Sequence, residues 1–183
     1  FTNHAQVYKS RASEFADTKA SVLGDYVASK LEMEEGEVPL FMTVTVDYRG
    51  YMLFFYQNGK CAKIPLASYM TKQNRRKLLK AYSDKEELAA MLHIEEETEL
   101  AVFTSGGTGG PRLILVGSAL IPEKATRDTA GINMVTLKKN ARIAKVRPAA
   151  GLELKDPHRY RVRTLPAAGA LLRQEDTTEQ MSL

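Results

Sequence analysis

The residues whose types and spacing point to chemistry are basic. Residues 71–77 read Thr-Lys-Gln-Asn-Arg-Arg-Lys, so Lys72, Arg75, Arg76 and Lys77, with Lys80 just beyond, form the densest basic cluster in the chain. A second group, Lys124 and Arg127, lies in a polar stretch ahead of an apolar run, and a third gathers Lys138, Lys139 and Arg142, with Lys145 and Arg147 following. Ammonium and guanidinium groups at this density attract polyanions, and nucleic acid is the commonest polyanion that a reduced, folded protein meets. A solvated charged surface is the competing reading, and charge alone does not separate the two.

The overall charge of +4 hides an asymmetry: residues 1–50 carry net −3, residues 51–100 +1, residues 101–150 +6 and residues 151–183 zero. With 183 residues, 44% of them hydrophobic, the chain can bury the core of one ordinary domain or two small ones. It contains no unbroken run of about 18 apolar residues, which excludes a membrane-spanning helix. Cys61 stands alone, which excludes a disulfide framework and a cysteine-based zinc site and suggests a buried, inert thiol. The chain starts at Phe1, with neither Met nor a charged-then-apolar leader, and this is expected to be an edge cut from a longer protein.

Other chemistry finds little support. His4, His93 and His158 are scattered, with no neighbouring ligand at metal spacing, so no metal site is expected. The run Gly106-Gly107-Thr108-Gly109-Gly110 lacks the Gly-Lys-Ser/Thr ending of a phosphate loop and reads as a flexible hairpin turn. No nucleophile, base and orienting group come together in the pattern of a hydrolase.

The elements that must position the basic groups come from a repeat of about fifty residues. Its best copy runs Leu53-Phe54-Phe55-Tyr56, Gln57-Asn58-Gly59-Lys60, then Cys61-Ala62-Lys63-Ile64-Pro65, with Tyr69 after it. Asn-Gly between two such runs is a strong hairpin signal, because both residues tolerate the positive φ of a type I′ turn. Residues 1–9 with Phe15 form one further copy, and residues 103–116, carrying the insertion Thr108-Gly109-Gly110-Pro111, form another. Each copy continues into later apolar runs: residues 26–33 and 38–46, then 88–94 and 100–104, then 132–137 and 141–146. Four strands per unit describe blades of a propeller-like array, placed near residues 1–50, 51–100 and 101–150.

One stretch argues against this register. Ser83-Asp84-Lys85-Glu86 fits a capping box, and Glu87-Leu88-Ala89-Ala90-Met91-Leu92 is rich in helix formers. The repeat nonetheless aligns 88–94 with 27–33 and 132–137, and long-range pairing overrides local propensity, so a strand is expected here.

The starts Phe-Thr-Asn-x-x-x-Val-Tyr-Lys (1–9) and Phe-Phe-Tyr-Gln-Asn-Gly-Lys (54–60), with Thr126-Arg127-Asp128-Thr129-Ala130-Gly131 before Val135-Thr136-Leu137, resemble the C-terminal domain of bacterial type IIA topoisomerase A subunits, those of gyrase and topoisomerase IV. The resemblance covers about residues 1–147, and the Arg-x-Thr-x-Gly loop is its most specific element. It implies an all-β β-pinwheel over residues 1–165, non-catalytic in itself, that binds and bends duplex DNA through Lys72, Arg75, Arg76, Lys77, Lys80, Lys124, Arg127, Lys138, Lys139 and Arg142. The partners it implies are the rest of the A subunit and a B-type ATPase subunit, with ATP and magnesium used by the holoenzyme and none by this part. The compartment it implies is the bacterial cytoplasm, at the nucleoid. The Gln-Arg-Arg-Gly-Gly-Lys-Gly box of gyrase A does not occur, and Gln73-Asn74-Arg75-Arg76-Lys77 echoes it without the glycines that let a backbone approach phosphates closely. Either that box lies ahead of Phe1, or the resemblance is to a topoisomerase IV type subunit that binds and bends DNA without wrapping it; the second is expected. A propeller that holds a partner protein is the alternative from another class.

After about Pro148 the repeat fades. Arg159-Tyr160-Arg161-Val162-Arg163 alternates like a strand, able to complete a blade or to lay a basic strip on the surface. Residues 166–183 are small and acidic and are expected to form a partly disordered tail. Their last four, Gln180-Met181-Ser182-Leu183, resemble the start of a sliding-clamp docking peptide without its final aromatic.

Overall fold

A computed structural model describes residues 1–71 and 76–176. They form ten strands: β1 (Val7–Tyr8), β2 (Tyr51–Tyr56), β3 (Lys60–Pro65), β4 (Lys77–Leu78), β5 (Leu88–Ile94), β6 (Glu99–Gly106), β7 (Arg112–Gly117), β8 (Ile132–Asn133), β9 (Ala141–Pro148) and β10 (Ala170–Leu171). The pairing is antiparallel throughout these strands, in three sheets: β1-β4, β5-β2-β3-β8 and β10-β7-β6-β9. The architecture is all-β, as the repeat predicts, and a β-pinwheel, as the resemblance implies.

Leu53-Phe54-Phe55-Tyr56 has no polar position because the second sheet is covered on both faces. Strand side chains alternate, so Met52, Phe54 and Tyr56 join Val7, Ile64, Tyr69, Leu78 and Tyr82 against the first sheet. Leu53 and Phe55 point the other way, joining Leu100, Val102, Ile114, Val116, Met134 and Ile143 against the third. The opposite face of the third sheet, with Ala101, Phe103, Leu113 and Leu115, is covered by Tyr160, Leu152, Leu154 and Leu172 from the C-terminal stretch.

Outer strands are exchanged. β4 follows β3 in sequence but pairs with β1, Val7 against Leu78. β8 follows β7 but pairs back with β3, Cys61 against Ile132, and β10 occupies the matching edge of β7, Leu113 against Ala170. Beside these outer strands run parallel bridges between Lys63 and Glu123 and between Leu115 and Arg161.

Residues 88–94 are strand, as the repeat requires against the local helical signal, because β5 finds β2 as a ladder partner over Tyr51–Tyr56. Their counterpart differs from the expected one: β5 lies on β2 as β9 lies on β6, so 88–94 correspond to 141–148 and not to 132–137. Only Ile132–Asn133 of that run is strand, and it belongs to the preceding sheet. The run 26–33 is no strand. It contains the one-turn helix α1 (Val27–Lys30), where bonds from the Lys30 and Leu31 amides back to the Tyr26 and Val27 carbonyls satisfy the backbone locally and no ladder pairing is made among the described residues. Within 38–46, only Pro39 is bridged, to Thr2.

Residues 166–176 are packed rather than trailing: Val135 bridges Ala167, β10 extends the third sheet, and Asp176 is buried with Tyr160 Oη donating to it at 2.6 Å and the Lys155 amide at 3.1 Å. The third sheet carries an apolar outer face, and Ala170 and Leu172 join Tyr160, Leu152 and Leu154 in covering it. Gln180-Met181-Ser182-Leu183 lie outside the described residues.

The Arg-x-Thr-x-Gly loop ends where β8 meets β3. Gly131 has φ +76°, and a Cβ there would stand 1.9 Å from the Cys61 carbonyl oxygen. Gly131→Ala is expected to cost more than the about 1–3 kcal/mol of a strained backbone alone, since the strand must also move. Gly109→Ala, at φ +98° with nothing within 4 Å, is expected to carry only the backbone cost. Urea unfolding of the two variants measures the difference.

Candidate nucleic-acid interface

The segment from Lys124 to Arg142 runs along one edge of the second sheet, and backbone bonds fix its course. The Lys124 amide donates to the Lys63 carbonyl, β8 lies on the start of β3, the amides of Met134 and Val135 reach the Gly59 carbonyl, and the Ile143 amide reaches Gln57. Lys138-Lys139-Asn140 then forms the turn into β9, closed by the Ala141 amide on the Lys138 carbonyl. Thr108, in the glycine-rich tip of the β6–β7 hairpin, donates its amide to the Lys139 carbonyl, so that tip serves as a hairpin turn packed beside the basic one. Lys138 and Lys139 thus sit between the hairpin tips of the second and third sheets, with Arg142 beginning β9 beside them.

Lys124, Lys138, Lys139 and Arg142 make no ion pair among the described residues, and the last three are exposed. Arg127 is held differently: its Nη1 donates to the Ser68 carbonyl at 3.0 Å, and its guanidinium lies 5.7 Å from the Tyr69 ring centre. This pins the Arg-x-Thr-x-Gly loop to the core.

The groups nearer the first sheet are already engaged. Arg76 pairs with Glu14 at 2.7 Å, Lys77 with Glu34 while lying over the Tyr8 ring, and Lys80 approaches Asp128 at 3.9 Å. The hydrogen bond and charge of Lys77 hold the Glu34 carboxyl below its ordinary range. Lys80 and Asp128 line a cleft of about 340 Å³ with His4, Gln6, Asp84 and Lys85. Lys72 and Arg75 lie outside the described residues.

Folding also assembles groups that are distant in sequence. His4, isolated there, has its Nδ1 3.9 Å from Glu34, and Glu37 stands within 4.8 Å of both. The Glu37 oxygens already accept from Thr2 at 2.5 Å and Tyr8 at 2.7 Å, so the cluster is satisfied from within.

Two features go beyond the sequence reading: the basic strip at 159–163, which it left open between completing a blade and lying on the surface, and a buried lysine, which it missed. Arg161 and Arg163 lie in the loop leading to β10, the counterpart in the third sheet of the loops that lead to β4 and β8. Arg161 is paired with Glu99 at 2.7 Å, and Arg163 is exposed without an ion pair among the described residues. The other feature is Lys63, whose side chain is only 4% exposed. Its ammonium bonds Glu97, lies 4.2 Å from the centre of the Tyr51 ring, and reaches the Ser118 carbonyl at 3.3 Å, while Ser118 Oγ donates to the other Glu97 oxygen.

The fold has known counterparts. No family model matches the sequence, and no curated protein sequence matches it. Among solved structures, the C-terminal domain of DNA topoisomerase IV superposes with a TM-score of 0.70 over 93% of this chain at 17% identity. The C-terminal domain of DNA gyrase A gives 0.61 over 92% at 15%, and that of E. coli ParC gives 0.58 over 85% at 12%. This chain has the fold of those C-terminal domains. It spans 56% and 57% of the length of the first two and 68% of the third. No described helix is long and apolar enough to cross a membrane.

Burial works against ionisation of Glu97, but hydrogen bonds from Lys63 and Ser118, with the Lys63 charge, outweigh it and hold the carboxyl below its ordinary value. A lowered carboxyl contributes stability that is complete above the unfolded value near pH about 4.3 and fades as pH falls through the folded value. Glu97→Gln is expected to cost about 1–3 kcal/mol at neutral pH, because Lys63 keeps its burial but loses its charged partner. The gap between the two proteins should close below pH about 4, which urea unfolding across pH measures.

Proposed function

We propose that this chain is a non-catalytic DNA-binding domain of a type IIA topoisomerase A subunit, which holds and bends a duplex segment for a separate cleavage module. The observation that carries the reading is the free cationic edge: Lys124, Lys138, Lys139 and Arg142 along one continuous segment of a β-pinwheel, with no carboxylate partner among the described residues. Cations fixed on a rigid sheet edge meet phosphates without first having to order a loop. Cations strung along a sheet edge and its turns, with no helix or ribbon among them to enter a groove, meet the phosphate backbone, so binding is expected to be independent of sequence. Lys80, Arg76 and Lys77 extend the same reading toward the first sheet by exchanging internal carboxylates for phosphates, and Arg127 supports it by fixing the loop that carries Lys124. Lys72 and Arg75 join the set through their place in sequence.

In this reading the ATP- and magnesium-dependent steps belong to the other modules of the holoenzyme, in the cytoplasm of a bacterium, and a clamp contact through residues 180–183 is an accessory. Preference for a topoisomerase IV type subunit rests on the missing glycine-rich box.

Affinity for linear duplex should fall steeply between about 50 and 300 mM salt, with a log–log slope near −0.9 per phosphate neutralised. Lys138→Glu, Lys139→Glu and Arg142→Glu together should weaken binding alike on unrelated sequences and flatten that slope by up to about 3. Titration by fluorescence anisotropy reads both, with end-to-end energy transfer on the same duplex reporting the bend. Affinity that ignores salt, or a triple variant that binds as tightly as the original, would overturn the proposal.

A further inference from the structure

The hairpin tips of the second and third sheets are built differently. In the second, Gly59 is buried, its carbonyl accepts from the Met134 and Val135 amides, and a Cβ there would stand 2.5 Å from the Val135 carbonyl oxygen. That tip is part of the core. In the third, Gly106 and Gly107 pack as closely, against Asn140 and Ala141, but the insertion that follows carries two more glycines that touch almost nothing. A Cβ on Gly109 would have no atom within 4 Å, and one on Gly110 only Leu171, at 4.0 Å. The amides of both donate to no acceptor among the described residues. Packing therefore accounts for the first two glycines only, and free amides clustered in a glycine-rich turn make an anion-binding concavity.

The residue that opens the second strand of each hairpin shows the same contrast. Lys60 begins β3 and Arg112 begins β7, and each faces the strand that closes its sheet, at Asn133 and at Leu171. Lys60 meets a carboxylate, Glu86 at 3.2 Å. Arg112 meets none among the described residues. Its Nη1 donates to the Gly169 carbonyl at 2.8 Å, while its Nε is buried with no partner. A guanidinium carries five donors and a full charge, so one half withdrawn from water without a carboxylate is short of an anion. Arg112 lines one crevice together with Thr104, Gly110, Leu137 and Lys138, and Lys138 is exposed and unpaired among the described residues.

We infer that this crevice anchors one phosphate group of the DNA backbone, held by Lys138 and the amides of Gly109 and Gly110 above the charge of Arg112. The inference rests on the reading of the chain as a duplex-binding domain and adds a fixed point to it. Backbone amides do not swing away as lysine side chains do, so the phosphate held here sets where the duplex lies along the cationic edge. The two unesterified oxygens of a phosphodiester accept from the tip and from the Lys138 side at once, which a single-atom anion such as chloride cannot do.

The test follows the NMR signals of the Gly109 and Gly110 amides and of the Arg112 Nε–H in the isotope-labelled full chain, titrated with inorganic phosphate at constant ionic strength and separately with a linear duplex. The signals should move together with one midpoint in each titration and stay in place when chloride replaces phosphate. Lys138→Gln changes one exposed side chain and should raise the phosphate midpoint by about tenfold. Arg112→Lys keeps a charge and a donor for the Gly169 carbonyl but removes Nε, and should also raise it; should that variant fail to fold, Lys138→Gln decides alone. A duplex that binds with the salt dependence given above while these signals stay in place overturns the inference and leaves the DNA-binding reading standing. Signals that move in phosphate when no duplex binds assign the crevice to a free phosphate ester, which overturns both. Equal movement in chloride, or a Lys138→Gln midpoint unchanged from the original, overturns the inference as well.

Discussion

Everything in this molecule depends on one constraint: a sheet's outer edge is closed by a strand that arrives from further along the chain. β4 closes β1, β8 closes β3, and β10 closes β7. An unpaired row of backbone donors and acceptors is costly inside a packed array and hazardous outside it. Exchange solves this for each sheet while tying it to the next, so the core between sheets and the ladders within them are continuous. The requirement for close approach at Gly131, the burial of both faces of β2 and the path of the basic segment all follow from where β8 has to run.

That geometry also sorts the cations. The stretch that crosses from the third repeat to close the second sheet must be polar at its ends, because its ends lie at the rim and only its middle is strand. Lys124 occupies one end and Lys138 and Lys139 the other, while Met134 and Val135 between them turn into the core. Around the first sheet, whose sequence is acidic, the cations find carboxylates within the molecule: Glu14, Glu34 and Asp128. The −3 and +6 of the sequence blocks are therefore partly cancelled on one side and left open on the other. Lys63 is the exception that looks basic in sequence and is structural in space, clamped to Glu97 and Ser118.

Local signals in the sequence account for the hairpins well. Asn58-Gly59 and the glycine-rich run at 106–110 each join two apolar runs, and both are turns between paired strands. The strand at 88–94 was legible only through the repeat, since its own residues favour helix. What escaped was everything decided by partners far away. Residues 26–33 are as apolar as a strand but find no edge, and residues 132–137 pair backward into the previous sheet, which no local pattern encodes. The end of the chain looked like a tail because its composition is small and acidic, yet an uncovered apolar face on β6 and β7 draws Tyr160 and Leu172 down onto it, and Asp176 follows through its bond from Tyr160. Of the candidate site, the residue types were legible; which cations stay free and which are neutralised was not, because the carboxylates that neutralise them come from up to 62 positions away.

Strand exchange also bears on how such arrays can change length during descent. The unit that repeats in sequence is not the unit that is complete in space: excising the repeat near residues 51–100 or near 101–150 would remove a neighbour's closing strand, β4 or β8, together with its own hairpin, β2–β3 or β6–β7. A duplication or loss is neutral only when the sheet on each side receives another closing strand of the same register. Beyond β9, residues 150–176 supply that strand and that cover for the third sheet with a sequence that has left the repeat behind. The third sheet is thus closed by a sequence free to diverge in ways that β4 and β8, which lie within the repeat, are not.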